Sequence, residues 1–309
     1  MVQKLALLGF LIISTALVAS IAGAQSLNAT VNSQLLESAM SQINCKTNFT
    51  VTFGNYISAS LSNSNSIYPK IVALQQENAQ LQNYSASANI AGFRTYVREY
   101  YDPSLKQIGM DVLFGLKGSR LAQGTTKTLR EEYNQTQSAY NACEFNTEKQ
   151  LAIAKGDAYE YYISYYNQKV QNLSAEGLNT TAMQSLVNKA QAEIVVPYMD
   201  DVNASTNQSA LDAALSRYCL FDDCRNGTNF HLAANFDVLK LTAIYDKLSA
   251  IPDLTGKQTA QLANIRADLN VTSAALGSVG TNAYTQGSGQ AIFNDLNATV
   301  MNIRALRKS

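Results

Sequence analysis

The chain has 309 residues, with 23 basic and 23 acidic side chains and a formal net charge of zero. That balance offers no overall basic footprint for nucleic acid. The single histidine, His231, excludes HExxH metalloproteases and di-iron bundles that need a Glu-x-x-His on each of two helices. Hydrophobic residues make up 46%, enough for a real core, while the charged fraction is only 15%, so Asn, Gln, Ser and Thr supply much of the polar surface.

The first residues read as a secretion signal spanning 1–24. Lys4 precedes an apolar run over residues 5–18, broken only by Gly9, Ser14 and Thr15. Ala22-Gly23-Ala24 then offers a small-x-small cleavage site before Gln25. Left uncleaved, the uncharged stretch over residues 5–24 is long enough to span a bilayer, and it is the one membrane anchor the sequence suggests. No second apolar run of that length follows, and the C-terminal Arg304, Arg307 and Lys308 are unlike a lipid-anchor tail.

No sustained alternation suggests a sheet, and the dominant period is helical. Residues 67–101 carry Ile71, Leu74, Leu81 and Ala88 on one face. They are expected to stop at Asp102-Pro103, because proline disfavours the α conformation in the residue before it. Residues 94–130 hold seven basic side chains against three acidic ones. Within them Leu105, Ile108, Val112, Leu113, Phe114 and Leu116 form a broad apolar face. It reads either as a helix packed into the core or as a contact surface for a protein partner, another copy of the chain or a membrane interface. The candidate residues for that surface are Arg94, Arg98, Lys106, Val112, Phe114, Lys117 and Arg120.

From Leu129 the residues Tyr133, Thr136, Tyr140, Cys143, Thr147, Leu151, Ala154, Ala158, Tyr161 and Tyr165 recur at spacings of four and three. They predict a near-continuous helix of about ten turns. A second stripe, Tyr159, Tyr162 and Tyr166, lies beside this seam, so the helix should bury a wide arc. The tyrosines between 159 and 166 could instead line a ligand cleft, since each has an apolar body and a polar tip. Tyr165 and Lys169 match the Tyr-x-x-x-Lys spacing of some reductases, but no glycine-rich strand-to-helix turn accompanies them.

The C-terminal half reads as shorter helices: one from Asn179, an N-cap residue, carrying Met183, Leu186, Val187, Ala190 and Ile194 to a kink or stop at Pro197. Others are expected over residues 207–221, 229–251, 255–279 and 290–306, with Gly280 and the 286–289 stretch separating the last two. A faint repeat links Leu173-Ser-Ala175 to Leu248-Ser-Ala250, about 76 residues on, each ending a helix before a second one begins.

The four cysteines are an even number, so disulfides are the default in an oxidising compartment. Cys219 and Cys224 enclose a short loop, which leaves Cys45 to pair with Cys143 across the chain. The alternative is a metal site from Cys219, Cys224 and His231 with Asp222 and Asp223, but the spacing fits no common finger and none is expected. The stretch from Asp222 resembles the start of a calcium loop yet has Cys224 and Ala233 where ligands belong. No GxSxG elbow or phosphate loop appears, so neither catalysis nor a cofactor is expected.

Eleven Asn-x-Ser/Thr sequons begin at Asn28, Asn48, Asn83, Asn134, Asn172, Asn179, Asn203, Asn207, Asn226, Asn270 and Asn297. With 28 asparagines in the chain, chance would give roughly 4 to 5 such triplets, so they predict N-glycosylation of a secreted or cell-surface protein. None lies between Asn83 and Asn134. The expectation is an all-α fold, with a coiled-coil-like bundle of long antiparallel helices over 25–177 and αα-hairpins over 178–309. The function expected is extracellular scaffolding or protein interaction, with a ligand-binding or sensor domain built on a Tyr-lined cleft as the alternative.

Overall fold

The computed structural model of the chain describes residues 29–60, 67–118, 123–218, 228–251, 254–278 and 286–306. Its elements there are helices, and among the described residues there is no strand. The all-α expectation holds. The expected signal over residues 1–24 lies outside the described residues, as do Cys219 and Cys224 and the calcium-like stretch between residues 222 and 227.

The chain divides into two compact units. One runs to Lys155 and takes in Ser205–Leu211; the other holds Gly156–Ala204 and the residues from Asp212 on. The division at Lys155 falls inside a single long helix, whereas the sequence reading set its boundary between residues 177 and 178.

The first unit is built around α1 (Ala29–Ser60). Leu35, Leu36, Ala39, Ile43, Phe49, Phe53 and Ile57 of α1 are buried, and so are Cys45, Lys46 and Thr47 in succession. Consecutive helical residues point 100° apart, so a buried run of three means α1 is covered on several sides. α2 (Ile67–Ala86) packs along it through Ile67, Ile71, Leu74 and Leu81. α3 (Ile90–Tyr96) and α4 (Asp102–Gly118) follow, and then α5 (Gln123–Ala175). An aromatic set joins α1 to α5: Phe49 and Tyr140 have ring centres 5.0 Å apart, and Phe53 and Tyr133 meet edge-on at 5.3 Å. The expected disulfide Cys45–Cys143 links the same two helices, with Cα atoms 5.9 Å apart.

Two expectations about helix ends need correction. Ala88 does not lie on the apolar face of α2; it is exposed and sits past the helix end with φ of 51°. Asn89 N–H donates to Tyr84 O at 2.9 Å and Ala88 N–H to Ser85 O at 3.0 Å. That pair of bonds is the Schellman closure, which usually places glycine at the left-handed position. Asp102-Pro103 does not stop a helix either. Proline lacks an N–H and its ring crowds the carbonyl four residues back. Here a widened π turn, Val97–Tyr101, precedes it, Asp102 N–H donates to Val97 O, and the helix continues to Gly118.

The second unit uses the same device at Pro197. α6 (Thr181–Ala190) runs into a π turn, Gln191–Val195, where Val196 N–H donates to Gln191 O, and α7 (Val196–Ala204) carries on. Within α5 the seam is buried at Leu151, Ala154 and Ala158, after which burial passes to Tyr159, Tyr162, Ile163 and Tyr166 while Tyr165 emerges. Gly156 leaves room for Met199 of α7: a Cβ there would meet its Sδ at 2.0 Å. After α8 (Gln208–Arg217), the helices α9 (Thr228–Ser249), α10 (Gly256–Ser278) and α11 (Gln286–Leu306) pack pairwise. They share one core, in which Leu241, Leu262, Ile265, Leu269, Ile292 and Leu296 are buried. α10 opens on a capping box: Gln258 N–H donates to Thr255 Oγ1 at 3.3 Å and Thr255 N–H to Gln258 Oε1 at 3.0 Å. Around the two copies of the faint repeat, α5 ends at Ala175 and α9 at Ser249, and α6 and α10 then begin at Thr181 and Gly256.

Candidate interaction surface

α4 carries the apolar stretch singled out by the sequence, and its periodicity splits that stretch in two. Leu105, Ile108 and Val112, at i, i+3 and i+7, are buried. Pro103, Gln107, Met110 and Phe114 recur at i, i+4, i+7 and i+11 on the opposite face, and all four are exposed. Phe114 is 62% exposed and Met110 48%, whereas Val112 is at 0%. Val112 is therefore a core residue and not a surface anchor. The residue that sequence reasoning missed is Met110, legible in hindsight from its spacing to Phe114.

The charges follow the same division. Lys70 of α2 forms an ion pair with Asp111 of α4, and Gln107 Nε2 donates to Asp111 Oδ1 at 2.9 Å, so α2 and α4 are tied at this edge. Arg98 pairs with Glu99 at 3.0 Å with both side chains well exposed, an arrangement that contributes little to stability. Arg94 is half-buried and Lys106 exposed; the side chains of Lys117 and Arg120 lie outside the described residues. Tyr96 stacks on Tyr100 at 4.8 Å between ring centres and meets Tyr84 at a tilt, at 5.6 Å, and Tyr100 is exposed. Glu77 of α2 accepts from Ser104 Oγ at 2.7 Å. Burial pushes its carboxyl above the usual range, more than that hydrogen bond lowers it.

A second group of titratable side chains lies inside the first unit, next to the disulfide. Burial pushes the Lys46 ammonium down, opposed by the charges of Asp102, Glu144 and Glu148. Burial likewise pushes the Asp102 carboxyl up, opposed by Lys46 and Lys106. Tyr101 OH donates to Ile43 O at 3.1 Å and meets Thr47 Oγ1 at 2.8 Å. Tyr140 OH donates to Glu144 Oε1 at 2.5 Å. Tyr101, in the π turn leading into α4, is thus tied to α1, while the Tyr140–Glu144 bond lies within α5.

Of the tyrosines between 159 and 166, Tyr159, Tyr162 and Tyr166 are buried, Tyr161 is half-buried and Tyr165 is exposed. Tyr165 holds the Lys169 ammonium 4.3 Å over its ring, so the Tyr-x-x-x-Lys spacing serves a cation–π contact. A groove of about 830 Å³ runs between the end of α5 and α6, lined by Gln171, Ser174, Thr181, Gln184 and Asn188 among others. A second hollow of about 480 Å³ shares Asn188 and adds Glu160, Ser164, Asn167 and Gln191. Neither wall includes a tyrosine.

Nine sequon asparagines fall among the described residues, and all nine are exposed. Of the other asparagines with described burial, seven are exposed and six half-buried. Asn28 and Asn226 lie outside the described residues. No described helix is long and apolar enough to cross a membrane. Among the described residues no group of three His, Cys, Asp or Glu side chains is placed to hold a metal ion. No protein-family model, curated protein or solved structure matches this chain.

Proposed function

We propose that this chain is a secreted or cell-surface, N-glycosylated helical protein that acts by binding another protein or another copy of itself, as a scaffold and not as an enzyme. The reading rests on one contrast of surfaces. The nine described sequon asparagines all face solvent, where a bulky hydrated glycan can be carried without disturbing the core. Between Asn83 and Asn134, where no glycan can attach, the solvent face of α4 exposes Met110 and Phe114, and Tyr100 is exposed nearby. Close approach is physically easiest there. The apolar side chains would supply most of the affinity, and Lys106 and the neighbouring bases would steer an acidic partner.

The test is the double substitution Met110→Ser and Phe114→Ser, read by sedimentation or cross-linking against self-association and by pull-down against native surface partners. The expected result is a folded protein with unchanged melting temperature and lost association. Unchanged association would remove the α4 face from the account.

A further inference from the structure

We infer that at least five of these sequons, those at Asn48, Asn83, Asn203, Asn270 and Asn297, accept their glycan only before the chain folds. The inference rests on the glycoprotein reading above and adds an order of events to it.

A sequon is read as a triplet: the asparagine amide takes the sugar, and the Ser or Thr hydroxyl two residues on is what makes it an acceptor. Both groups must reach one active site. In this fold they cannot. Each of the five asparagines is exposed, yet the hydroxyl residues of the same triplets, Thr50, Ser85, Ser205, Thr272 and Thr299, are all buried. They account for five of the nine buried polar or charged residues described in the chain, so their burial is a selective feature of these triplets. For four of the five the cause is helical geometry; Ser205 lies just past the end of α7. Residues two apart on an α-helix point about 200° away from one another, so where a helix has one covered face an asparagine facing water sets its hydroxyl partner toward the core. On α5, by contrast, Thr136 beside Asn134 is half-buried and Ser174 beside Asn172 is exposed. Thr272 and Thr299 are further engaged, donating to Asp268 O and Asp295 O at 2.9 Å each.

Two other sequons are built differently. Asn179 and Asn207 precede α6 and α8, outside the helices, and Thr181 and Ser209, their hydroxyl partners, are exposed. Their amide oxygens cap the helices, accepting from Thr181 N–H at 3.2 Å and Ala210 N–H at 3.0 Å. Each Nδ2 stays available for the sugar.

The transfer joins asparagine Nδ2 to C1 of a sugar, breaks the C1–O bond to the pyrophosphate of a lipid-linked oligosaccharide donor, and releases one amide proton. For the sealed five this step requires local unfolding, while Asn179 and Asn207 can react in the native protein. The consequence is that most of the coat must be laid down during translocation, and cannot be restored on a folded chain.

The test uses the full chain made without glycans, folded and oxidised, incubated with purified oligosaccharyltransferase and its lipid-linked donor. Short peptides spanning each sequon serve as the unfolded reference, since isolated segments of that length hold little helix. Site-resolved mass spectrometry should find transfer to the five sealed sites slowed by ~100-fold or more relative to their peptides, the factor set by local opening of a packed helix. Transfer at Asn179 and Asn207 should match their peptides within ~10-fold. Transfer to the sealed sites of the folded chain at peptide rates overturns the inference and leaves the glycoprotein reading standing. Transfer to none of the peptides overturns both.

Discussion

Removing the Cys45–Cys143 disulfide should be the most damaging covalent change available in the first unit. Its partners lie 98 residues apart, and closing a loop of that size restricts the unfolded chain by about 4.7 kcal/mol on the chain-entropy relation. Cys45 is buried, so Cys45→Ala with Cys143→Ala also gives up some packing, bringing the expected loss to roughly 5 to 6 kcal/mol. In thermal unfolding followed by circular dichroism this corresponds to a fall in Tm of roughly 10–20 °C. In urea the variant should show a larger m-value, because its denatured state is no longer cross-linked and exposes more surface. Reduced wild-type protein should behave like the variant. A double variant within about 1 kcal/mol of oxidised wild type would refute the reasoning, and would mean that α1 is held to α5 by packing and polar contacts alone.

Three further outcomes are expected. Ala88→Gly should stabilise the protein by about 0.5–1 kcal/mol, since Ala88 occupies a left-handed position, while Gly177→Ala at the equivalent end of α5 should cost about as much; chemical denaturation checks both. Val112→Ser should cost several kcal/mol because Val112 is fully buried, in contrast to the neutral pair at Met110 and Phe114, and a melting curve separates them. The carboxyl of Glu77 is raised by burial, so the folded state holds its proton longer than the unfolded state. Stability should therefore fall as pH rises through the window just above the ordinary carboxylate pKa, and Glu77→Gln should flatten that fall while leaving the acid side unchanged. A pH series of unfolding midpoints in which both proteins run parallel would contradict this assignment.

Local chemistry was the most legible part of the sequence. The helix expected over 255–279 begins at Gly256, and Leu173-Ser-Ala175, read as a helix end, does close α5. The structure adds the reason, a capping box at Thr255 and a left-handed closure at Gly177, each decided by a few neighbouring residues. Pro103 misled because a proline is a stop signal only when the turn before it is regular; the π turn over Val97–Tyr101 is a tertiary adjustment that the residues do not announce. Val112 misled for a different reason. α4 has apolar residues on both faces, so a broad apolar run identifies the helix without saying which face is covered. The sequons were visible as triplets, but the opposite orientation of asparagine and hydroxyl appears only once each triplet is placed on its helix.

The central claim is the glycan coat, and its most direct test is glycopeptide mapping of the protein recovered from the secreted or surface fraction of its own cells. The account predicts glycan on at least half of the eleven sequons, with Asn48, Asn83, Asn203, Asn270 and Asn297 among them despite their buried hydroxyl partners. A protein whose mass equals that of the bare polypeptide would contradict it, and would reduce the eleven triplets to a by-product of an Asn-, Ser- and Thr-rich surface.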